Sequence, residues 1–172
     1  MKKITFLFGL LLLSLWGFAQ KIGYCQVDQI IAIMPEAEKA KAQYEKEVQD
    51  YQNELEQMQV EYNNKLKEYQ DNMALPDNDP KKWSKLVIQN KEQELMQLQQ
   101  RIYEFQNQAQ TELQKRQVEL MQPVYNKVDS VLGVIAKEKG LSIILKDNTL
   151  VYINQDKCVD VTPEVKQKLK LQ

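Results

Sequence analysis

The chain has 172 residues, 43% of them hydrophobic, with five Gly, two Cys and no His. Zero His excludes imidazole acid–base catalysis, a Ser-His-Asp triad and every His-containing metal site, and two Cys are too few for a four-cysteine zinc site. Neither a Walker-type GxxxxGK run nor GxGxxG occurs, so no phosphate cradle of known pattern is present and no cofactor or metal is expected.

The chain opens on a secretory pattern. Met1-Lys2-Lys3 is a basic start, Ile4 to Phe18 is an apolar run, and Gly17-Phe18-Ala19 places small residues for a cut before Gln20. The run is shorter than the roughly 20 residues a bilayer core requires. Ile22-Gly23-Tyr24 lacks the small residue expected before a lipidated Cys25. Residues 1–19 therefore read as a cleaved signal peptide, with no stable membrane anchor and a periplasmic destination. Removing Lys2 and Lys3 leaves 21 basic against 24 acidic residues, net −3. Glu36–Met73 carries 10 acidic and 5 basic residues, whereas Lys81–Gln122 carries 5 acidic and 7 basic. Opposite signs on successive segments favour laying one against the other. They do not make the concentrated basic face that nucleic acid needs.

Residues 20–35 hold a predicted strand, Lys21 to Asp28, then an apolar Ile30–Met34 leading to Pro35-Glu36, a helix start. Residues 36–122 read as a helical hairpin. On its first limb Tyr44, Val48, Tyr51, Leu55, Met58, Tyr62, Leu66, Tyr69 and Met73 fall three or four apart, one stripe on a helix without Pro or Gly. Residues 74–80 form a Pro-flanked turn at the tip. Asp79-Pro80 supplies a cap and first position for a second helix from about Lys81. That helix carries Ile88, Leu95, Leu98, Ile102, Phe105, Ala109 and Leu113 and continues toward Ile135, with a kink or break expected at Pro123. Gly140 is its stop.

Residues 123–172 hold the rest. Leu141–Leu145 and Leu150–Ile153 read as strands around an Asp147-Asn148 turn, and Cys158–Val161 as a third. Thr162-Pro163-Glu164 reads as the capped start of a last short helix. The fold class is α+β, mainly α: a long antiparallel hairpin on a small β body.

Several pieces together carry a family resemblance. They are Lys21-Ile22-Gly23-Tyr24 after a signal peptide, the long charged hairpin, Gln122-Pro123-Val124-Tyr125, Lys139-Gly140-Leu141-Ser142-Ile143-Ile144-Leu145, Val151-Tyr152, and Val159-Asp160-Val161-Thr162-Pro163. Over nearly its whole mature length the chain resembles the Skp/OmpH family of periplasmic chaperones. The resemblance implies a jellyfish-like homotrimer, with helical tentacles around a cavity that holds unfolded outer-membrane proteins without ATP. Its partners would be further copies of the chain and unfolded outer-membrane β-barrel proteins. Well-known members are basic and this chain is not, so attraction resting on net positive charge does not carry over.

The stripe residues serve the hairpin's own cohesion first. Client contact falls to apolar residues off the stripe, near the tip, or both: Met73, Leu75 and Trp83 at the tip, and Met96 and Tyr103 on a side ridge. The many Gln between Gln89 and Gln122 read as a composition that keeps the surface soluble. Val124, Val128, Val131 and Ile135 are the residues expected to pack around a trimer axis. Cys25 and Cys158, both on body strands, are candidates for a disulfide within one chain or between two, with two buried free thiols as the alternative. A structural or adaptor coiled coil of the envelope is the alternative function. An enzyme is remote, since no nucleophile–base set is visible.

Overall fold

The computed structural model describes residues 21–171; the export segment expected at residues 1–19 lies outside them. In chain order they form β1 (Lys21–Cys25), α1 (Val27–Ala32), α2 (Pro35–Met73), α3 (Lys85–Lys139), β2 (Leu141–Lys146), a short 3-10 turn (Asp147–Thr149), β3 (Cys158–Asp160) and α4 (Thr162–Lys168). Two compact units divide them. One joins the stretch up to Met34 with the stretch from Tyr125 onward, and the other is Pro35–Val124. The fold is mainly helical with one small sheet.

In the first unit the sheet runs β2-β1-β3, and both pairings are parallel. Ile22 lies opposite Ile143 and Cys158, and Tyr24 opposite Leu145 and Asp160. Side chains alternate across a strand, so these residues share one face and Gly23, Cys25, Ile144 and Val159 the other. The core of the unit includes Cys25, Ile30, Met34, Val128, Ile135, Val161 and Val165, all at most 1% exposed. At Gly23 the neighbouring strands leave little room for a side chain. A Cβ there would stand 2.8 Å from Leu141 Cδ1 and 3.4 Å from the Val159 carbonyl oxygen. Gly23→Ala should therefore cost about 1–3 kcal/mol by overpacking. A urea titration showing an unshifted midpoint would contradict that.

Four expectations need correction here. The first strand stops at Cys25, and α1 follows, because Val27, Ile30, Ile31 and Met34 fall at i, i+3, i+4 and i+7 and are all buried. Ile33 and Met34 donate to Ile30 and Ile31, tightening the last turn before Pro35 bars its continuation. Leu150–Ile153 is not a strand, since nothing among the described residues pairs with it, and Val151 and Tyr152 stand in solvent. Thr162 does not cap its own helix. Its hydroxyl oxygen accepts from the Gln26 N–H at 3.0 Å, while the Thr162 N–H donates to the Asp160 carboxylate at 2.9 Å. Finally, α3 runs unbroken through Pro123. The Pro removes one donor, to the Glu119 carbonyl, and the long helix on either side tolerates that loss.

The second unit is an antiparallel pair formed by α2 and the part of α3 up to Val124. Arg116 Nε donates to Glu47 at 3.0 Å, Tyr51 meets Phe105 with ring centroids 5.8 Å apart, Lys65 pairs with Glu94, and the Tyr69 hydroxyl donates to Glu92 at 2.7 Å. Numbers rise along one helix as they fall along the other. The predicted stripe closes on itself: Leu98, Ile102 and Ala109 are buried, and Tyr44 through Tyr69 are half-buried. The ion pairs are only partly covered and screened by solvent, so each contributes about 0–1 kcal/mol, and the stripe, not the charges, holds the pair.

Candidate functional site

At the tip one side chain organises the turn. Asn72, 8% exposed, donates from Nδ2 to the Lys81 carbonyl at 2.9 Å and accepts at Oδ1 from the Trp83 N–H at 3.0 Å. Lys82 Nζ donates to the Met73 and Leu75 carbonyls at 2.9 and 2.7 Å, so a cation closes the C-terminus of α2, where the helix dipole favours it. Asp79 accepts from the Lys81 N–H at 2.7 Å, in a turn. Together these hold residues 80–83 out of helical geometry. The second long helix therefore starts at Lys85, with the Ser84 hydroxyl accepting from the Val87 N–H, and not near Lys81.

The tip residues picked from sequence divide. Met73 is 43% exposed, whereas Leu75 and Trp83 are half-buried, and Lys91 Nζ lies 5.1 Å from the centre of a Trp83 ring. Trp83 thus has a cation over its face and a fixed backbone, which makes it part of the tip's own packing. On the ridge of α3, Met96 and Tyr103 are 61% and 66% exposed. Val118 at 63% and Leu86 at 67% are exposed on α3 too, and the sequence reading missed them. Their angular place off the core stripe was the signal that could have found them.

Three of the four residues expected around a trimer axis are covered by their own chain. Val124 is 3%, Val128 0% and Ile135 1% exposed, and Val131 is half-buried. Val124, Val128 and Ile135 are intramolecular core and offer no free surface. The apolar surface lies instead on the sheet face carrying Ile22, Tyr24, Ile143, Leu145 and Cys158. Ile143 and Leu145 are exposed there, and the rest are half-buried. Desolvation, with the Asp160 and Cys158 charges beside it, holds the Tyr24 hydroxyl above the ordinary tyrosine range, as expected if these groups share a face. Wholly parallel sheets are normally covered on both sides.

Residues 21–169 match the family described as outer membrane protein (OmpH-like). The chain belongs to this OmpH-like family. A crystal structure from Caulobacter crescentus CB15, described as a candidate outer membrane chaperone (OmpH-like), is similar to it in fold with a TM-score of 0.70 at 12% identity. The similarity covers 87% of this chain and 83% of that one. No curated protein matches the sequence. Among the described residues of this OmpH-like chain, no helix is long and apolar enough to cross a membrane.

The two thiols of the OmpH-like chain are free, so of the alternatives the bond within one chain is not formed. Cys158 stands opposite Ile22, three residues before Cys25, and on the other face of the sheet. That offset is about 10 Å along the strand, beyond the roughly 7 Å that a disulfide can bridge. Burial pushes the Cys25 thiol up to about 11, against a partial opposing effect of its hydrogen bond with Thr162. Fully covered, it offers nothing to another copy. Without reductant, the denatured protein should show two alkylatable thiols per chain. An absence of thiols in denaturant would mean that the strand register is wrong.

Proposed function

We propose that this OmpH-like chain is an ATP-independent holdase of the periplasm, a homotrimer that keeps unfolded outer-membrane β-barrel proteins from aggregating. The observation that carries the reading is the split between a closed core stripe and an open ridge. The hairpin satisfies its own cohesion with Leu98, Ile102 and Ala109, yet leaves Met96 and Tyr103 in solvent on the same helix. Flexible thioethers and amphipathic rings suit partners without a fixed surface. The secretory pattern at residues 1–19 supports the compartment, and the chaperone description of the Caulobacter protein supports the class. The uncovered sheet face, with the unpaired Leu150–Ile153 beside β3 in sequence, supports assembly with further copies.

The test dilutes an unfolded outer-membrane barrel protein from urea into the mature protein without nucleotide, while the mass in solution is measured. Suppressed light scattering by the barrel and a mass of three chains are expected. Aggregation at the same rate as without the protein would remove the holdase reading. A folded monomer at micromolar concentration would remove the trimer.

A further inference from the structure

The amides of α3 are not spread evenly around it. At about 100° per residue, with Leu95 as zero, the core stripe spans roughly 280° through 0° to 20°. Between about 20° and 160° on that wheel, positions 93 to 121 hold no charged residue. Gln93, Gln100, Asn107, Gln110, Gln114 and Gln117 lie in this sector, interleaved with Met96, Tyr103 and Val118, and all are exposed. Every charged side chain of the same stretch, from Glu94 and Arg101 to Lys115 and Glu119, falls between about 180° and 300°. There Glu94 and Arg116 make the ion pairs to Lys65 and Glu47 of α2. Mere abundance of Gln would scatter amides and charges alike. This helix puts its charges on the flank that braces the hairpin and clears the other flank over about 38 Å.

A flank without charge is poor at drawing a partner of given charge and poor at solubilising a surface. It is also too thin in apolar residues for a helix–helix seam, which needs one every three or four positions. Met96, Tyr103, Val118 and Met121, the apolar residues of this sector, follow one another at steps of 7, 15 and 3, which is no such repeat. Side-chain amides do have one matching chemistry. Each carries a donor and an acceptor, as the peptide group does. Of the amides on this flank, Gln100 alone donates to a protein group among the described residues, to Glu104 at 2.7 Å. An unfolded chain, whatever its sequence, presents unpaired backbone N–H and C=O groups.

We propose that the uncharged flank of α3 recognises an unfolded polypeptide through its backbone, the Gln and Asn amides bonding peptide groups while Met96, Tyr103 and Val118 take apolar side chains. The proposal rests on the holdase reading and names how its client is held.

Two measurements test it. Gln93→Glu, Gln100→Lys, Asn107→Glu, Gln114→Lys and Gln117→Glu together put charge on the flank with residues that favour helices. Gln97→Glu with Gln108→Lys does the same on the other flank. Circular dichroism and mass in solution accompany each holding assay on the unfolded barrel protein. The first variant should hold the barrel at least tenfold more weakly, with helicity and mass unchanged, and the second as well as wild type. Separately, the wild-type protein should bind a soluble unstructured peptide of alternating Thr and Tyr at least tenfold more tightly than its counterpart methylated at alternate backbone nitrogens. Undiminished holding by the first variant overturns the proposal, and so does equal binding of the two peptides. A changed mass overturns it too and assigns the flank to packing between copies of the chain. Absence of holding by the wild type instead removes the holdase reading itself.

Discussion

Ile143→Asp together with Leu145→Asp should leave the mature protein a monomer at micromolar concentration. Both side chains stand on the uncovered face of a three-stranded parallel sheet, level with Ile22 and Tyr24. Covering each one fully would contribute about 1.5–3 kcal/mol, and an assembly of copies repeats that gain in every protomer. A carboxylate at either place reverses the sign, since an unpaired charge leaves water at a cost of several kcal/mol. The variant's own fold should persist, because its core of Cys25, Ile30, Val161 and Val165 is untouched. Val128→Ala gives the contrast. Val128 is fully buried in its own chain, so its truncation should lower stability by about 2 kcal/mol and leave assembly to follow stability. Light scattering on the folded variants decides. A double Asp variant that keeps the wild-type mass would move the interface off this face.

The hairpin was legible because its signals are long and local. A stripe at three- and four-residue steps runs through α2 without Pro or Gly, and Pro76 and Pro80 bracket a turn. What escaped depends on contacts distant in sequence. The start of α3 was misplaced by four residues because Asn72, from the other helix, holds the Lys81 carbonyl that a helix begun at Lys81 would have given to the Lys85 N–H. Leu150–Ile153 has a strand's composition, but a strand needs a partner, and the described residues supply none. The disulfide fell to register, since the offset of β3 against β1 has no mark in either segment. The valines of α3 looked like an interface because a short apolar stretch cannot say which neighbour covers it. Among the proposed contacts, Met73, Met96 and Tyr103 are open as their positions implied, while Leu75 and Trp83 are drawn into the tip.

That division predicts that ridge and tip variants will fail in different ways. Met96→Gln with Tyr103→Gln should leave the thermal and urea midpoints where they are, because side chains 61% and 66% exposed bury little on folding. Their effect should appear in holding. Each apolar contact with a client is worth less than the roughly 1.5–3 kcal/mol of full burial, yet two lost together should weaken holding several-fold. Asn72→Ala should do the reverse at first. It removes two hydrogen bonds and leaves the Lys81 carbonyl and Trp83 N–H without partners, a loss of about 2–3 kcal/mol confined to the tip. Trp83 then loses its fixed backbone, and faster hydrogen exchange at residues 74–84 should report it while the stripe helices keep their protection. Salt separates this account from an electrostatic one. Screening acts on exposed charges over about 8–10 Å, so holding that rests on Met96 and Tyr103 should persist in moderate salt. Unimpaired holding by the ridge variant, joined to complete loss of holding in moderate salt, would place the client on the charged flank that now pairs with α2.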